Sequence, residues 1–243
     1  MPNQNNPSEP WTVLRLLEWT EGFFAQKGVE DPRLNAQLLL SKALGMERIM
    51  LYARFDHVPT QQELTTFRQF VKRRAAHEPA QYIVGRREFY ARPFHVEPGV
   101  LIPRPETELL VSKTLELLPQ EEDLNVLDLA TGSGCIAVTL AAERPKWTLW
   151  ATDSSAEAVC IAQKNARSLQ LDDRVHLLQG CLFEPLEEEP VQPGSLAAIV
   201  SNPPYIPSEQ IDTLDPEVRE HEPRQALDGG ADGLRYFREI VPG

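Results

Sequence analysis

Apolar residues recur at helical spacing through the first eighty positions, then fall into short runs separated by turns from residue 124 onward. Val13, Leu16, Leu17 and Phe24 share one helical stripe, which Gly28 stops. Asp31 before Pro32 reads as an N-cap followed by a first-turn proline, opening a helix that runs to Gly45. Thr60-Gln61-Gln62-Glu63 is a capping box, and Leu64, Phe67, Phe70 and Val71 form the stripe behind it. These signals predict a helical bundle over 11–80, in which nothing points to chemistry. Residues 1–10, with four Asn or Gln and three Pro, predict a disordered leader.

Over 81–105 the pattern predicts a hairpin linker. Glu88-Phe89-Tyr90 and Phe94-His95-Val96 form its arms, with Ala91-Arg92-Pro93 between them. Val100 to Pro105 is extended and proline-locked, and a helix follows from Glu106 to Leu118. Strands are then expected at Asn125–Leu129, Trp147–Asp153, Arg174–Leu178 and Leu196–Ser201. Helices are expected at Ile136–Glu143, Ala156–Leu169 and Ala231–Ile240. Alternating strands and helices with short connections predict an α/β domain over 106–243, a parallel, doubly wound sheet that binds ligands at the carboxyl ends of its strands. Internal repeats are absent, and Glu187-Glu188-Glu189 reads as a solvated loop.

Composition narrows the function classes. A chain of 243 residues holds one large domain or two modest ones, and its 42% apolar share can fill a core. No apolar run reaches the roughly 18–20 residues of a membrane helix, and the polar N-terminus lacks a signal segment, so a cytoplasmic location is expected. Three cysteines (Cys135, Cys160, Cys181) without metal-type spacing argue against both a disulfide framework and a metal site. Cys135 and Cys160 are expected to be small buried residues. The five histidines (His57, His77, His95, His176, His221) are scattered and read as packing or surface residues. Formal charge is +2 over residues 1–100 and −14 over 101–243, with a local basic stretch from Lys72 to Arg92. Gripping nucleic acid takes many Lys or Arg contacts to phosphate, so a protein or small-molecule partner fits this chain better.

Two motifs carry candidate chemistry. Asp128-Leu129-Ala130-Thr131-Gly132-Ser133-Gly134 lies where a strand ends and a helix begins, and its glycines let the backbone approach a ligand. The glycine pattern is not the G-x-G-x-x-G of a dinucleotide fold, which argues against an oxidoreductase. Asp153, one strand later, suits a ribose diol, because a carboxylate accepts both hydroxyl protons. The alternative is a βα turn that binds nothing. Ser201-Asn202-Pro203-Pro204-Tyr205 follows the fourth strand on the same rim. A planar NH2 group is a poor nucleophile, because its lone pair is delocalised. A site that methylates it needs two acceptors, which an Asn oxygen and a rigidly aimed proline carbonyl supply, and an aromatic ring to cover the flat face. Here the alternative is a proline turn that ends a strand.

Together the motifs resemble S-adenosylmethionine-dependent methyltransferases of planar amino groups, which include nucleic-acid amino-methyltransferases. A narrower resemblance spans nearly the whole chain. Pro79-Ala80-Gln81-Tyr82-Ile83-Val84-Gly85, Phe89, Leu101-Ile102-Pro103-Arg104-Pro105-Glu106-Thr107-Glu108, the glycine loop and Asn202 to Tyr205 are similar in order and spacing to the HemK/PrmC-type release factor glutamine methyltransferases.

That resemblance implies a class I methyltransferase domain behind a helical N-terminal bundle, S-adenosylmethionine as cofactor, and class I release factors as partners of a monomer. Their Gly-Gly-Gln glutamine is then the substrate. By the same resemblance, Ala130, Thr131, Gly132, Ser133 and Gly134 wrap the methionine and ribose, Asp153 binds the ribose, and Cys181 and Leu182 meet the adenine. Asn202, Pro203 and Tyr205 carry catalysis, Asn202 also touches the cofactor, and Pro204 joins them in binding substrate. Arg104 to Thr107 line a cleft, or Arg104 and Glu106 pair with each other or cap the helix.

Three departures from the family pattern stand out. Ala130 replaces a usual glycine, which is tolerable at negative φ. Cys181 replaces a usual acid. Only about four of seven expected strands are found before Gly243, which reads as a truncated domain with an unpaired edge on its fourth strand. The competing readings are a nucleic-acid amino-methyltransferase and an inactive fragment that binds cofactor or partner alone.

Overall fold

The computed structural model describes residues 10–242 apart from 190, 192 and 193, and of 188 the backbone only. The leader expected over 1–10 therefore lies, but for Pro10, outside the described residues. The chain divides into two compact units, Met1–Val84 and Gly85–Gly243.

The first unit is helical: α1 (Val13–Gln26), α2 (Pro32–Leu44), a short α3 (Met50–Ala53), α4 (Gln61–Ala75) and α5 (Ala80–Val84). Thr12 starts α1 by accepting the Arg15 N–H, and both halves of the Thr60–Glu63 capping box are present at the start of α4. Asp31 departs from expectation. It takes φ 44° and its side chain caps nothing, so Pro32 alone supplies the start signal of α2. Phe24, Leu39, Leu40, Leu51, Phe67 and Val71 fill the core. Arg74 is buried there, its Nε donating to Asn35 Oδ1 at 2.8 Å, as a buried charge requires.

The second unit opens with the hairpin β1 (Arg86–Phe89) and β2 (Arg92–His95). Its arms differ from the expected ones. Tyr90 and Ala91 take φ 50° and 57°, a two-residue turn whose twist suits a hairpin, so Arg92 and Pro93 belong to the second strand. Phe89 and Phe94 drive the hairpin into the core edge to face, centroids 6.0 Å apart.

Then follow α6 (Thr107–Leu117), β3 (Asn125–Leu129), α7 (Cys135–Glu143), β4 (Thr148–Asp153), α8 (Ala156–Ser168), β5 (Val175–Gln179) and β6 (Leu196–Ser201). Glu184–Glu188 is a 3-10 turn where a loop was expected. Beyond β6 come the 3-10 turns Ser208–Thr213 and Arg224–Ala226 around α9 (Pro216–His221), then α10 (Arg235–Ile240), which begins four residues later than its sequence signal. The sheet runs β5-β4-β3-β6, all parallel, and among the described residues β6 pairs with β3 alone.

Because both faces of β3 are covered, its strand is apolar apart from Asn125 at its start and Asp128. Val126, with α7, Trp147 and Val200, lies on one face; Leu127, Leu129 and Trp150 lie on the other. Strand order reverses beside β3, so the carboxyl ends of β3, β4, β5 and β6 converge on one crevice. Among the described residues no helix is long and apolar enough to cross a membrane.

Candidate active site

The crevice holds two recesses. The first is lined by Ala130, Thr131, Gly132 and Ser133 after β3, Asp153 at the end of β4, Cys181 and Leu182 after β5, and Asn202 and Pro204 after β6. The second is lined by Pro203, Tyr205 and Glu106, among others. Asn202, Leu101, Arg104, Thr107 and Ala226 line both.

The glycine loop is built by bonds to close neighbours. Asp128, fully buried, accepts the Thr131 hydroxyl at 2.6 Å and the Ala137 N–H at 3.2 Å through Oδ2. Thr131 N donates to the Thr152 carbonyl at 3.0 Å, and Gly132 N donates to Asp153 Oδ2 at 2.8 Å. Burial pushes the Asp128 carboxyl up to about 7 and raises that of Asp153. Asp153 Oδ1 accepts the Ser155 N–H at 2.9 Å, so each of its oxygens keeps a lone pair for a ligand.

The two glycines differ in purpose. A Cβ on Gly132 would meet no protein atom within 4 Å, so its backbone faces open space. One on Gly134 would come within 3.0 Å of Ala162 Cβ, and Gly134 does not line the recess. Its place in the loop is that of a close-packing residue between α7 and α8.

Ala130 corrects an expectation. Its φ is 56°, not negative, so its methyl group stands in the left-handed region that glycine fills at no cost. Leu182, with φ 47°, is a second such residue on the same recess, as strained residues often are at functional sites.

The proline loop is built by bonds to distant segments. Asn202 Nδ2 donates to Thr107 Oγ1 at 3.2 Å, which leaves Oδ1 for another partner. Pro203 and Pro204 are buried, whereas Tyr205 is 58% exposed. Ile206 N donates to the Leu227 carbonyl and Gly229 N to the Ile206 carbonyl, at 3.0 and 2.8 Å. A Cβ on Gly229 would lie 2.7 Å from Tyr205 Cα, and one on Gly233, at φ 78°, would overlap the Tyr205 carbonyl oxygen.

Glu222 ties the other wall. It accepts from Arg104 Nη2 at 2.5 Å and from Ile102 N at 3.3 Å. Arg104 thus pairs with Glu222 rather than with Glu106, and Glu106 makes no side-chain cap for α6.

Sequence reasoning missed Glu222, Gly229, Gly233 and Asn165. The Asn165 Nδ2 donates to the Ser133 and His95 carbonyls, joining the glycine loop to the hairpin. Only the Gly229-Gly230 pair carried a local signal. Cys135 is buried, its thiol pushed up to about 12, so it remains protonated; Cys160, expected buried, is exposed. Among the described residues no cluster of three or more His, Cys, Asp or Glu could hold a metal ion.

Comparison with known proteins matches two stretches of the chain. Residues 15–85 match the family described as the PrmC N-terminal domain, and residues 105–217 match the methyltransferase small domain. The release factor glutamine methyltransferase of Geobacter sulfurreducens is 47% identical over 96% of this chain and 79% of its own length. That of Rhodopirellula baltica is 47% identical, covering 96% and 78%, and that of Bacillus subtilis 40%, covering 95% and 79%. A solved S-adenosylmethionine-dependent methyltransferase of Geobacter sulfurreducens, in complex with S-adenosylhomocysteine, is 30% identical over 32% of this chain and 29% of that one, with a TM-score of 0.27.

Proposed function

The chain belongs to the release factor glutamine methyltransferase family, and on that premise we propose that it methylates the side-chain amide nitrogen of the glutamine in the Gly-Gly-Gln tripeptide of class I release factors. The observation that carries this reading is the sharing of Asn202 by two recesses, one bearing the glycine loop and Asp153, the other Pro203 and Tyr205.

The first recess fits S-adenosylmethionine by the chemistry of its lining. Asp153 has lone pairs for a ribose diol, and the Gly132 backbone faces open space where a side chain would project. Thr131 and Ser133 complete the loop, with Ala130, Leu182 and Cys181 as apolar wall. Burial raises the Cys181 thiol, so it stays neutral beside the nucleoside. S-Adenosylmethionine supplies, when bound, a methyl group on a positively charged sulfur.

In the second recess the chain's own groups prepare the nucleophile. Asn202 Oδ1 and the Pro203 carbonyl accept the two N–H bonds of the glutamine amide and hold its nitrogen still. Prolines 203 and 204 offer no competing N–H and fix φ. Tyr205 covers the flat face of the amide, and Pro204 backs the loop. As the nitrogen forms its new bond it gains positive charge, its N–H groups become stronger donors, and both oxygens bind it more tightly than in the ground state. Positioning of this kind supplies on the order of 7–11 kcal/mol. The proton leaves afterwards, when the nitrogen is cationic and water suffices to take it.

The −14 charge of residues 101–243 favours a protein substrate over nucleic acid. A class I release factor as partner puts the reaction in the cytoplasm. Incubating a release factor with the chain and S-adenosylmethionine, then weighing its Gly-Gly-Gln peptide, tests the reading. A gain of one methylene on the glutamine is expected, and an unmodified peptide would refute it.

A further inference from the structure

Glu222 is a carboxylate with only 2% of its side chain exposed, just beyond α9. Such a group is costly to bury unless paired. Its partners are the Arg104 guanidinium and the Ile102 N–H, both on the proline-locked segment 118 and 120 residues earlier in the chain. Arg104 itself lines both recesses beside Asn202, with 35% of its side chain exposed. The charged groups around this wall are few. Glu217 acts on Glu222 from α9, Glu106 lines the second recess, and Asp153 lines the first. The direct ion-pair partner of Arg104 is Glu222.

We propose that Glu222 is a positioning residue that neutralises Arg104 on the wall common to the two recesses, so that the site admits a ligand with a positively charged sulfur. The inference rests on the cofactor reading above. S-Adenosylmethionine carries one more positive charge than S-adenosylhomocysteine, at the sulfur. An unpaired guanidinium on that wall therefore disfavours the first without touching the second. Over distances within one recess, at the effective dielectric of a protein site, such a repulsion alters affinity about tenfold. A purely architectural role, tying segment 102–104 to the stretch after α9, would weaken both ligands alike.

Calorimetric titration of the full chain with S-adenosylmethionine and S-adenosylhomocysteine separates these cases without turnover. For Glu222→Gln the ratio of the two dissociation constants is expected to shift about tenfold against S-adenosylmethionine. The double variant Glu222→Gln/Arg104→Gln is expected to restore the ratio. Arg104→Gln alone removes the guanidinium and leaves the buried Glu222 to take up a proton, so the ratio is expected to stay that of the unaltered chain; the isosteric Glu222→Met replaces Glu222→Gln if the latter fails to fold. Equal weakening of both ligands, or an unchanged ratio in a folded Glu222 variant, would overturn the inference while the cofactor reading stands. Binding of neither ligand by the unaltered chain would overturn both.

Discussion

The glycine loop and the proline loop leave neighbouring strands, β3 and β6, at the same end of the sheet, yet they are held in opposite ways. The glycine loop is tied by bonds that reach 3, 9, 21 and 32 residues along the chain, from Asp128 to Thr131 and Ala137, from Gly132 to Asp153 and from Ser133 to Asn165. The proline loop is tied to Thr107, 95 residues earlier, and is backed by residues 227–233. A loop held this way forms once two consecutive strand-turn-helix units, β3-α7 and β4-α8, have paired. A loop held from afar takes its shape only when segments on either side of it in the chain have docked. Substitutions in those segments should therefore strike the substrate side and spare the cofactor side.

The largest break in that contrast is expected at Gly233. A methyl group there overlaps the Tyr205 carbonyl oxygen, and the residue sits at φ 78°, so Gly233→Ala must displace the proline loop. Thermal unfolding should register a loss of about 3 kcal/mol. Methylation should fall far more than affinity for S-adenosylhomocysteine; parallel losses would mean that the two loops share one support.

The buried acid under the glycine loop makes the next prediction. Asp128 titrates near 3.8 when unfolded and about 7 when folded. Between those values the folded chain holds a proton that the unfolded chain has released. Its contribution therefore declines as pH rises from about 4 to about 7, by at most about 1.4 kcal/mol per pH unit, and levels off above. Asp128→Asn, whose amide oxygen can still accept from Thr131 and Ala137, should flatten that slope in denaturant titrations at several pH values. An identical slope in the variant would contradict the burial account.

The smallest effect is a gain. Ala130→Gly removes the strain of a methyl group at φ 56° and should raise stability by about 1 kcal/mol without loss of cofactor affinity. A destabilised variant would mean that the methyl group is held by contacts outweighing its backbone strain.

The same contrast explains what was legible in the sequence. The bounds of β3 and β6 were read to the residue, and those of α7, α8, β4 and β5 to within one, because hydrophobic period and turn residues are local signals. Ala130, Gly132 and Asp153 were legible as neighbours on one recess because a strand end, a glycine and the next strand's acid stand at fixed offsets. Asn202 and Tyr205 were legible from residue type alone. Their supports were not. No local pattern marks Glu222 as the partner of Arg104 in place of the nearer Glu106, or Thr107 as the acceptor that orients Asn202, because those pairings exist only after the chain has folded. Backbone sign was equally hidden. Alanine at 130 and aspartate at 31 prefer negative φ, and the tertiary context overrides both.

The division of labour between the loops is tested most directly by measuring turnover on a release factor and affinity for S-adenosylhomocysteine side by side in Asn202→Ala and Asp153→Ala. Asn202→Ala is expected to lower turnover about a hundredfold with little change in affinity. Asp153→Ala is expected to weaken binding roughly tenfold to a hundredfold, with turnover largely recovered at saturating S-adenosylmethionine. Equal losses of both quantities in both variants would contradict the account.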